Sequence, residues 1–458
     1  MAVARFATLL GGGAPIGSFY TGRLRNPGDA MAIVWDVEQL IALEKFDKWR
    51  RDPPRQGFLI NGYAGTGKTT LAQELKRIFP GVLYAAYTNK AVFVLRSKGC
   101  NPAATLHSIV YVPDTDRQLG QGALEEWEVV TQFDLFLQKS SSPRPPGWEP
   151  RDLLILDPNA IPVIDEVSMI GRKLGRDILG MPHLICMLGD NFQLPPIGEA
   201  NSYFFRRGRK PDVVLTQIHR TSNPGTLLIA DYTRNSHYPP AGEYHGSAVI
   251  KSFDLSENRR RDIFDPLLME ADQVVCGFNR SRVAINCRAR ELNGLAAHDP
   301  QGMPVPGDKL VCYRHSIVPR ANDPDEKTTV INGSLWQVTN SLKCETLETR
   351  RSFMAMTLTS LDDPKQHPVL VRVPSTYFNP KSVCCVLPHT VAHADIGWDV
   401  FTYGYAITCH KAQGSEWKHV AVVDQSWGEY FRPYRWRWLY TAVTRASEHT
   451  TLIRGPWR

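Results

Sequence analysis

Gly62-Tyr63-Ala64-Gly65-Thr66-Gly67-Lys68-Thr69 constrains the fold of this chain more than any other stretch, because it fits the phosphate-cradling P-loop pattern at every fixed position. Phe58-Leu59-Ile60 ahead of it is a short apolar run suited to a buried strand. Thr70 to Phe79 behind it has helical periodicity, with Leu71, Leu75 and Ile78 on one face. Strand, glycine-rich turn and helix is the context in which backbone N–H groups close around phosphate oxygens at the positive end of a helix. Gly62, Gly65, Thr66, Gly67 and Thr70 then form the cradle, Lys68 reaches the β- and γ-phosphates, and Thr69 offers its hydroxyl to Mg²⁺. The chain is expected to bind a nucleoside triphosphate.

Alternating strand-like and helical runs from about Val34 onward read as α/β with a parallel sheet. Val82–Ala86, Val163-Ile164 and Leu184–Leu188 are further buried-strand candidates, and each ends in polar residues: Thr88-Asn89-Lys90, Asp165-Glu166 and Gly189-Asp190. Open α/β sheets hold ligands beyond the carboxyl ends of their strands, so these ends and the P-loop suggest one site. Pro162 is awkward inside a central strand and predicts a short or bulged one. A carboxylate at Asp165 suits Mg²⁺ held through water, and Glu166 suits a base for the attacking water. Gln193, in Gly189-Asp190-Asn191-Phe192-Gln193-Leu194-Pro195-Pro196, is placed to feel the γ-phosphate. Arg220 and Arg445 are candidate cations for the transferring phosphoryl group, a role worth ~10³–10⁵ in rate.

At 458 residues the length prior is roughly three domains. A net charge of +7 favours polyanion partners only mildly. Nine cysteines without a CxxC pair argue for a reducing compartment, and no apolar run approaches the ~18 residues of a membrane span. Residues 1–30 are expected to be a disordered tail: Met1 to Gly28 lacks acidic residues, carries Arg5, Arg23 and Arg25, and is broken by Gly11-Gly12-Gly13. A transit peptide shares that bias. Cys384-Cys385 ahead of His389 and His393 has a soft-ligand spacing, but adjacent cysteines rarely both ligate one tetrahedral ion, and zinc is not expected.

Several motifs then occur in order: the P-loop, Thr88-Asn89-Lys90-Ala91, Thr105-Leu106-His107-Ser108, Asp165-Glu166-Val167-Ser168-Met169, and Gly189 to Pro196. Arg220, Thr408-Cys409-His410-Lys411-Ala412-Gln413-Gly414-Ser415-Glu416 and Tyr440 to Ala446 follow. In this set the chain resembles superfamily-1 helicases of the RecD/Dda-like group over about Val34 to Ile453. The resemblance implies two RecA-like P-loop NTPase domains with ATP between them, the first from 31–108 and 151–212, the second from 213–303 and 394–458. It implies a pin subdomain at 109–150, with Trp127, Phe133 or Phe136 as candidate fork-stacking aromatics, and an SH3-like β insertion at 304–393.

The same resemblance implies that Lys68, Glu166, Gln193, Arg220 and Arg445 act on ATP, with Mg²⁺ at Thr69 and Asp165. Glu416, after Gly414, matches the position that contacts the nucleotide sugar, and Gln39 is the candidate adenine reader. Thr88, Asn89, Lys90, Thr105, His107, Thr408 and His410 would line a single-strand track that grips the phosphodiester backbone without reading sequence. The basic runs Arg206-Arg207-Gly208-Arg209-Lys210 and Arg259-Arg260-Arg261 either widen the electrostatic footprint or are solvated faces.

The implied function is an ATP-dependent DNA helicase translocating 5′→3′. The implied partners are single-stranded and forked duplex DNA, with single-strand-binding protein or replisome components as candidates, no membrane, and action as a monomer. The implied compartment is the cytoplasm of a bacterium or phage-infected cell, with mitochondrion and nucleus left open. An RNA helicase or ribonucleoprotein remodeller of the same fold, and a non-motor nucleotide-switched binding protein, are the alternatives.

Overall fold

The computed structural model describes residues 35–113, 148–150, 157, 159–206, 208–219, 223–252, 256–298, 302–346, 350–388, 397–427 and 429–455. The expected tail at 1–30, the three candidate fork aromatics, Arg220, His389 and His393 lie outside them.

A six-stranded parallel sheet organises the first domain. Its order is Ala103–Thr105, Val82–Ala86, Ile161–Asp165, Ile185–Gly189, Gly57–Gly62 and Val213–Leu215. The apolar runs foreseen as strands take central places because both faces of this sheet are covered. One face packs Leu71 and Leu75 of helix Lys68–Ile78 and Ala42, Leu43 and Phe46 of helix Val37–Arg51. The other packs Leu174 and Ile178 of helix Arg172–Leu179 with Tyr203 and Phe204. Fully burying a leucine in such a layer contributes about 1.5–3 kcal/mol. Pro162 does sit in a central strand. Its cost appears toward Ile185–Gly189, where only Val163 and Ile164 are paired.

A second six-stranded sheet runs Ala406–Thr408, Gln273–Cys276, Trp417–Asp424, Ala446–Arg454, Ser247–Lys251 and Gly242–Tyr244, parallel except for its last edge strand. Between its second and first strands the chain detours into a five-stranded antiparallel sheet: Val369–Pro374, Ser352–Ser360, Leu335–Glu345, Lys309–Cys312 and Phe401–Tyr403. A short antiparallel pair, Tyr111–Pro113 with Trp148–Pro150, closes the base of the insertion in the first domain.

Two expected boundaries move. Val213–Leu215 pairs with Gly57–Gly62, so the first domain runs past 212. Phe401–Tyr403 pairs with Lys309–Cys312, so the inserted sheet extends past 393 to 403. Strands of three residues are too short to carry a readable period, and only their pairing assigns them.

Candidate functional site

The buried strand Gly57–Gly62 delivers the chain into the P-loop. Gly65 and Gly67 adopt φ of 84° and 75°, the left-handed region open to glycine. Gly67 occupies the N-cap position of helix Lys68–Ile78. A Cβ there would also lie 2.6 Å from Gln39 Nε2. Gln39 is buried, donates through Nε2 to Thr66 O (3.1 Å), and accepts from Asp36 N (3.2 Å). The proposed adenine reader therefore stands against the phosphate loop with both ends of its amide engaged. Lys68 Nζ donates to Gly62 O (2.8 Å) and Tyr63 O (3.0 Å), arching over the loop. His219 N donates to Gly65 O at 2.7 Å, and its ring meets Asp36 Oδ2 at 2.6 Å. Glu38 accepts from Thr216 N and Gln217 N. The segment that leads to Arg220 is thus fastened to the loop.

Asp165 and Glu166 stand at the carboxyl end of Ile161–Asp165, as foreseen. Burial and then the charge of Glu166 hold the Asp165 carboxyl above the usual carboxylate range, against the pull of Lys68. Asp165 Oδ1 accepts from Glu166 N at 2.8 Å. Glu166 adopts φ 55°, ψ 41°, a left-handed conformation that costs a non-glycine residue about 1–2 kcal/mol. Its Oε2 is buried without a partner among the described residues, as is Oε1 of Gln193. Strained backbone and orphaned acceptors together are what a site holds when a ligand completes it.

The second domain enters through helix Arg435–Val443. The Tyr440 hydroxyl donates to Asp190 Oδ2 (3.0 Å) and accepts from Ala64 N of the P-loop (2.9 Å). Thr441 Oγ1 accepts from Leu194 N at 2.9 Å. Burial raises the Asp190 carboxyl, and burial followed by the charge of Asp190 carries the Tyr440 phenol well above its ordinary value. Phe192 fills the angle between Tyr63 and Tyr440, with ring centroids 5.7 and 6.1 Å away. Arg445, by contrast, is buried in its own domain, with Nε on Thr441 O (3.0 Å) and Nη1 3.3 Å from Ser415 O. The reach from the second domain to the loop belongs to Tyr440 and Thr441. Both lie inside the motif that carries Arg445. The signal missed was the phenol one turn and a residue earlier.

The expected single-strand track divides. Thr88 caps helix Asn89–Ser97 by accepting from Ala91 N, and Thr105 caps Leu106–Val110 by accepting from Ser108 N. Asn89, Thr408 and His410 are partly exposed, and burial pushes the His410 imidazole down to about 4. Gly414 brings the second domain beside the first, since a Cβ on it would lie 3.8 Å from Ala91 N. Glu416 is exposed.

Two residues depart from the expectation. Lys90 is buried and paired at 2.5 Å with Asp362 of the antiparallel sheet, so its charge is neutralised inside the protein. His107 is buried between the rings of Tyr87 and Tyr111, and burial holds it well below its ordinary pKa. A residue beside a motif threonine is as easily a core or interdomain contact as a ligand group.

These residues fit a nucleoside triphosphate with Mg²⁺: a glycine cradle, an ammonium above it, the hydroxyl of Thr69, and carboxylates at two strand ends. Among the described residues no group of three or more His, Cys, Asp or Glu could hold another metal ion, and no helix is long and apolar enough to cross a membrane.

Fold and site define a P-loop NTPase with two parallel-sheet domains meeting over the loop. Residues 52–253 match the family described as AAA domain, and residues 403–453 match the UvrD-like helicase C-terminal domain. Over 233 residues the chain is 28% identical to the ATP-dependent DNA helicase dda of Enterobacteria phage T4, covering 44% of this chain and 47% of that protein. Over 245 residues it is 26% identical to an uncharacterised protein of Acanthamoeba polyphaga mimivirus, covering 50% and 47%. The chain spans about half the length of these curated relatives. Among solved structures it is similar to the Pif1 helicase of Candida albicans, at 14% identity, TM-score 0.48, and 93% and 95% coverage of the two chains. The Bacteroides Pif1 helicase in complex with ADP-AlF3 and single-stranded DNA gives 16%, TM-score 0.45 and 92% of each. In its ordered motifs and its family matches the chain is similar to superfamily-1 helicases of the Dda-like kind.

Proposed function

We propose that this chain is an ATP-driven DNA helicase that translocates 5′→3′ on single-stranded DNA and unwinds duplex. The observation that carries the reading is the Tyr440 contact, which ties a P-loop amide of one domain to a helix of the other. Nucleotide occupancy at the loop then bears directly on how the domains sit together. A ligand that favours the closed arrangement shifts the population of domain positions, and alternating grip on a strand converts that shift into steps.

In this reading Lys68 balances phosphate charge, Glu166 takes the proton of the attacking water, and Gln193 orients toward the γ-phosphate. Thr69 and Asp165 would hold Mg²⁺, which supplies charge neutralisation on the phosphates when bound. Arg220 and Arg445 close on the transferring group once the domains move. For Arg445 that requires leaving the carbonyls of Thr441 and Ser415. Gln39 reads the base and Glu416 the sugar, while Thr88, Asn89, Thr105, Thr408 and His410 contact the strand. We read the five-stranded insertion as the SH3-like module and the 109–150 insertion as the pin. Single-stranded DNA and forked DNA, found with Pif1 helicases, are the partners proposed for this chain, acting as a monomer.

ATP hydrolysis measured with and without single-stranded DNA, against matched RNA, tests the reading. Stimulation by DNA well above that by RNA supports it. Preference for RNA would favour a remodeller that uses the 2′-OH, and hydrolysis indifferent to both would favour a switch.

A further inference from the structure

The outer surface of the first domain, on the side away from helices Val37–Arg51 and Lys68–Ile78, carries a concentration of arginines that the nucleotide site and the track do not use. Helix Arg172–Leu179 presents Arg172 and Arg176, both exposed. Between them Gly175 admits the Tyr203 ring so closely that a Cβ would fall 2.3 Å from Tyr203 Cδ1. The Arg206 guanidinium lies 4.2 Å from the centroid of that ring, and Arg209 lies 5.3 Å from that of Phe204. Tyr203 and Phe204 in turn pack edge-on at 5.4 Å. Helix, aromatic pair and arginines are therefore one rigid surface.

The charge of that surface is not neutralised. Three carboxylates border it without pairing with its cations: Glu199 accepts from Arg172 N, Asp177 from the Tyr111 hydroxyl, and Asp212 pairs with Arg55 and accepts from Leu59 N. Arg172, Arg176, Arg206, Arg209 and Lys210 have no ion-pair partner among the described residues. Burial, then the charges of Arg55 and Arg206, lower the Arg209 pKa against the pull of Asp212. Arginines stacked on aromatic rings lose little freedom when their outward N–H groups meet an oxyanion.

Position selects the polyanion. Asp177 of the same helix takes the Tyr111 hydroxyl at 2.5 Å, and Tyr111 opens the two-stranded base of the 109–150 insertion. The basic face thus adjoins the root of the segment read as the strand-separating pin. We infer that it is a second nucleic-acid surface, which holds the phosphate backbone of the duplex arm of a fork without reading its sequence. Duplex carries one negative charge per ~1.7 Å of axis, and a protein that neutralises its phosphates releases counterions, so binding falls with salt. This inference rests on the helicase reading above.

The test compares wild type with the triple variant Arg172→Gln, Arg206→Gln, Lys210→Gln, three exposed residues outside the nucleotide site. The probes are a fork with a long duplex arm and the single strand equivalent to its tail, titrated over a series of salt concentrations. The variant is expected to bind the single strand, and to hydrolyse ATP on it, as wild type does. Its fork affinity is expected to fall about tenfold or more, and the slope of log affinity against log salt to shrink by about two to three. Unchanged fork affinity and slope would overturn the inference. Equal weakening on both probes would also overturn it, by placing these residues on the single-strand path. Wild-type protein that binds neither probe would contradict the helicase reading itself.

Discussion

The Tyr440 hydroxyl donates to Asp190 Oδ2 at 3.0 Å across 250 residues of sequence, while it accepts from the P-loop amide of Ala64 at 2.9 Å. All three groups are buried, so one phenol links the loop, the neighbouring strand end and the second domain. Tyr440→Phe strands the buried Ala64 N–H, a loss worth about 1–3 kcal/mol, and leaves Asp190 Oδ2 without its donor while Oδ1 keeps Phe192 N. The variant should unfold at lower denaturant concentration by that order, and its DNA-stimulated kcat should drop about tenfold or more with a smaller change in KM. Denaturant titration and steady-state kinetics check both.

Lys68 donates to loop carbonyls, and its charge offsets the buried carboxyls of Asp165 and Asp190, which rise further above the usual carboxylate range when it is removed. Lys68→Ala should keep its unfolding transition and its single-strand affinity, and lose about 10²–10³ in ATP turnover. Turnover within a few-fold of wild type would remove Lys68 from the site.

Glu166 holds a left-handed backbone and a buried oxygen without a partner, both paid for in stability. Asparagine tolerates that conformation. Glu166→Asn should therefore raise the unfolding free energy by about 1 kcal/mol while lowering hydrolysis about 10²–10⁴-fold. Thermal unfolding and turnover on the same preparation give both numbers.

His410 has its pKa pushed from 6.5 down to about 4 by burial. Between those values the unfolded chain binds more protons than the folded one. The stability this neutral imidazole allows is complete above about pH 6.5 and is lost as pH falls toward 4. Relative to His410→Gln, wild type should lose up to roughly 3 kcal/mol over that interval. Unfolding free energies of the two proteins at pH 7 and pH 4 measure the difference. Neutral at pH 7, His410 adds nothing to the salt dependence of strand binding.

Lys90 and Asp362 join the first domain to the inserted sheet, and Asp362 Oδ2 also accepts from Leu335 N at 2.8 Å. A double-mutant cycle over Lys90→Met and Asp362→Asn should return a coupling of about 1–3 kcal/mol. A value near zero would mean that the pair is incidental.

What the sequence made legible were features whose causes are local. The P-loop announces itself through glycine spacing, and the central strands through apolar runs that end in Asp165 and Asp190. Hydrogen bonds between residues 250 to 376 positions apart have no local trace, so Tyr440 stayed hidden behind Arg445. Lys90 and His107 stand in motifs shaped like a strand track, yet one pairs with a carboxylate 272 residues away and the other packs between two tyrosines. The strands Val213–Leu215 and Phe401–Tyr403 are too short to show a period, and their sheets were decided by partners elsewhere in the chain.

The central claim, a 5′→3′ motor driven by ATP, is tested most directly by unwinding of forks that carry a single-stranded tail on one strand only. Unwinding that requires ATP and the 5′ tail, and is absent from Lys68→Ala, is the predicted result. Unwinding from the 3′ tail would contradict the direction, and no ATP-dependent unwinding from either tail would contradict the motor.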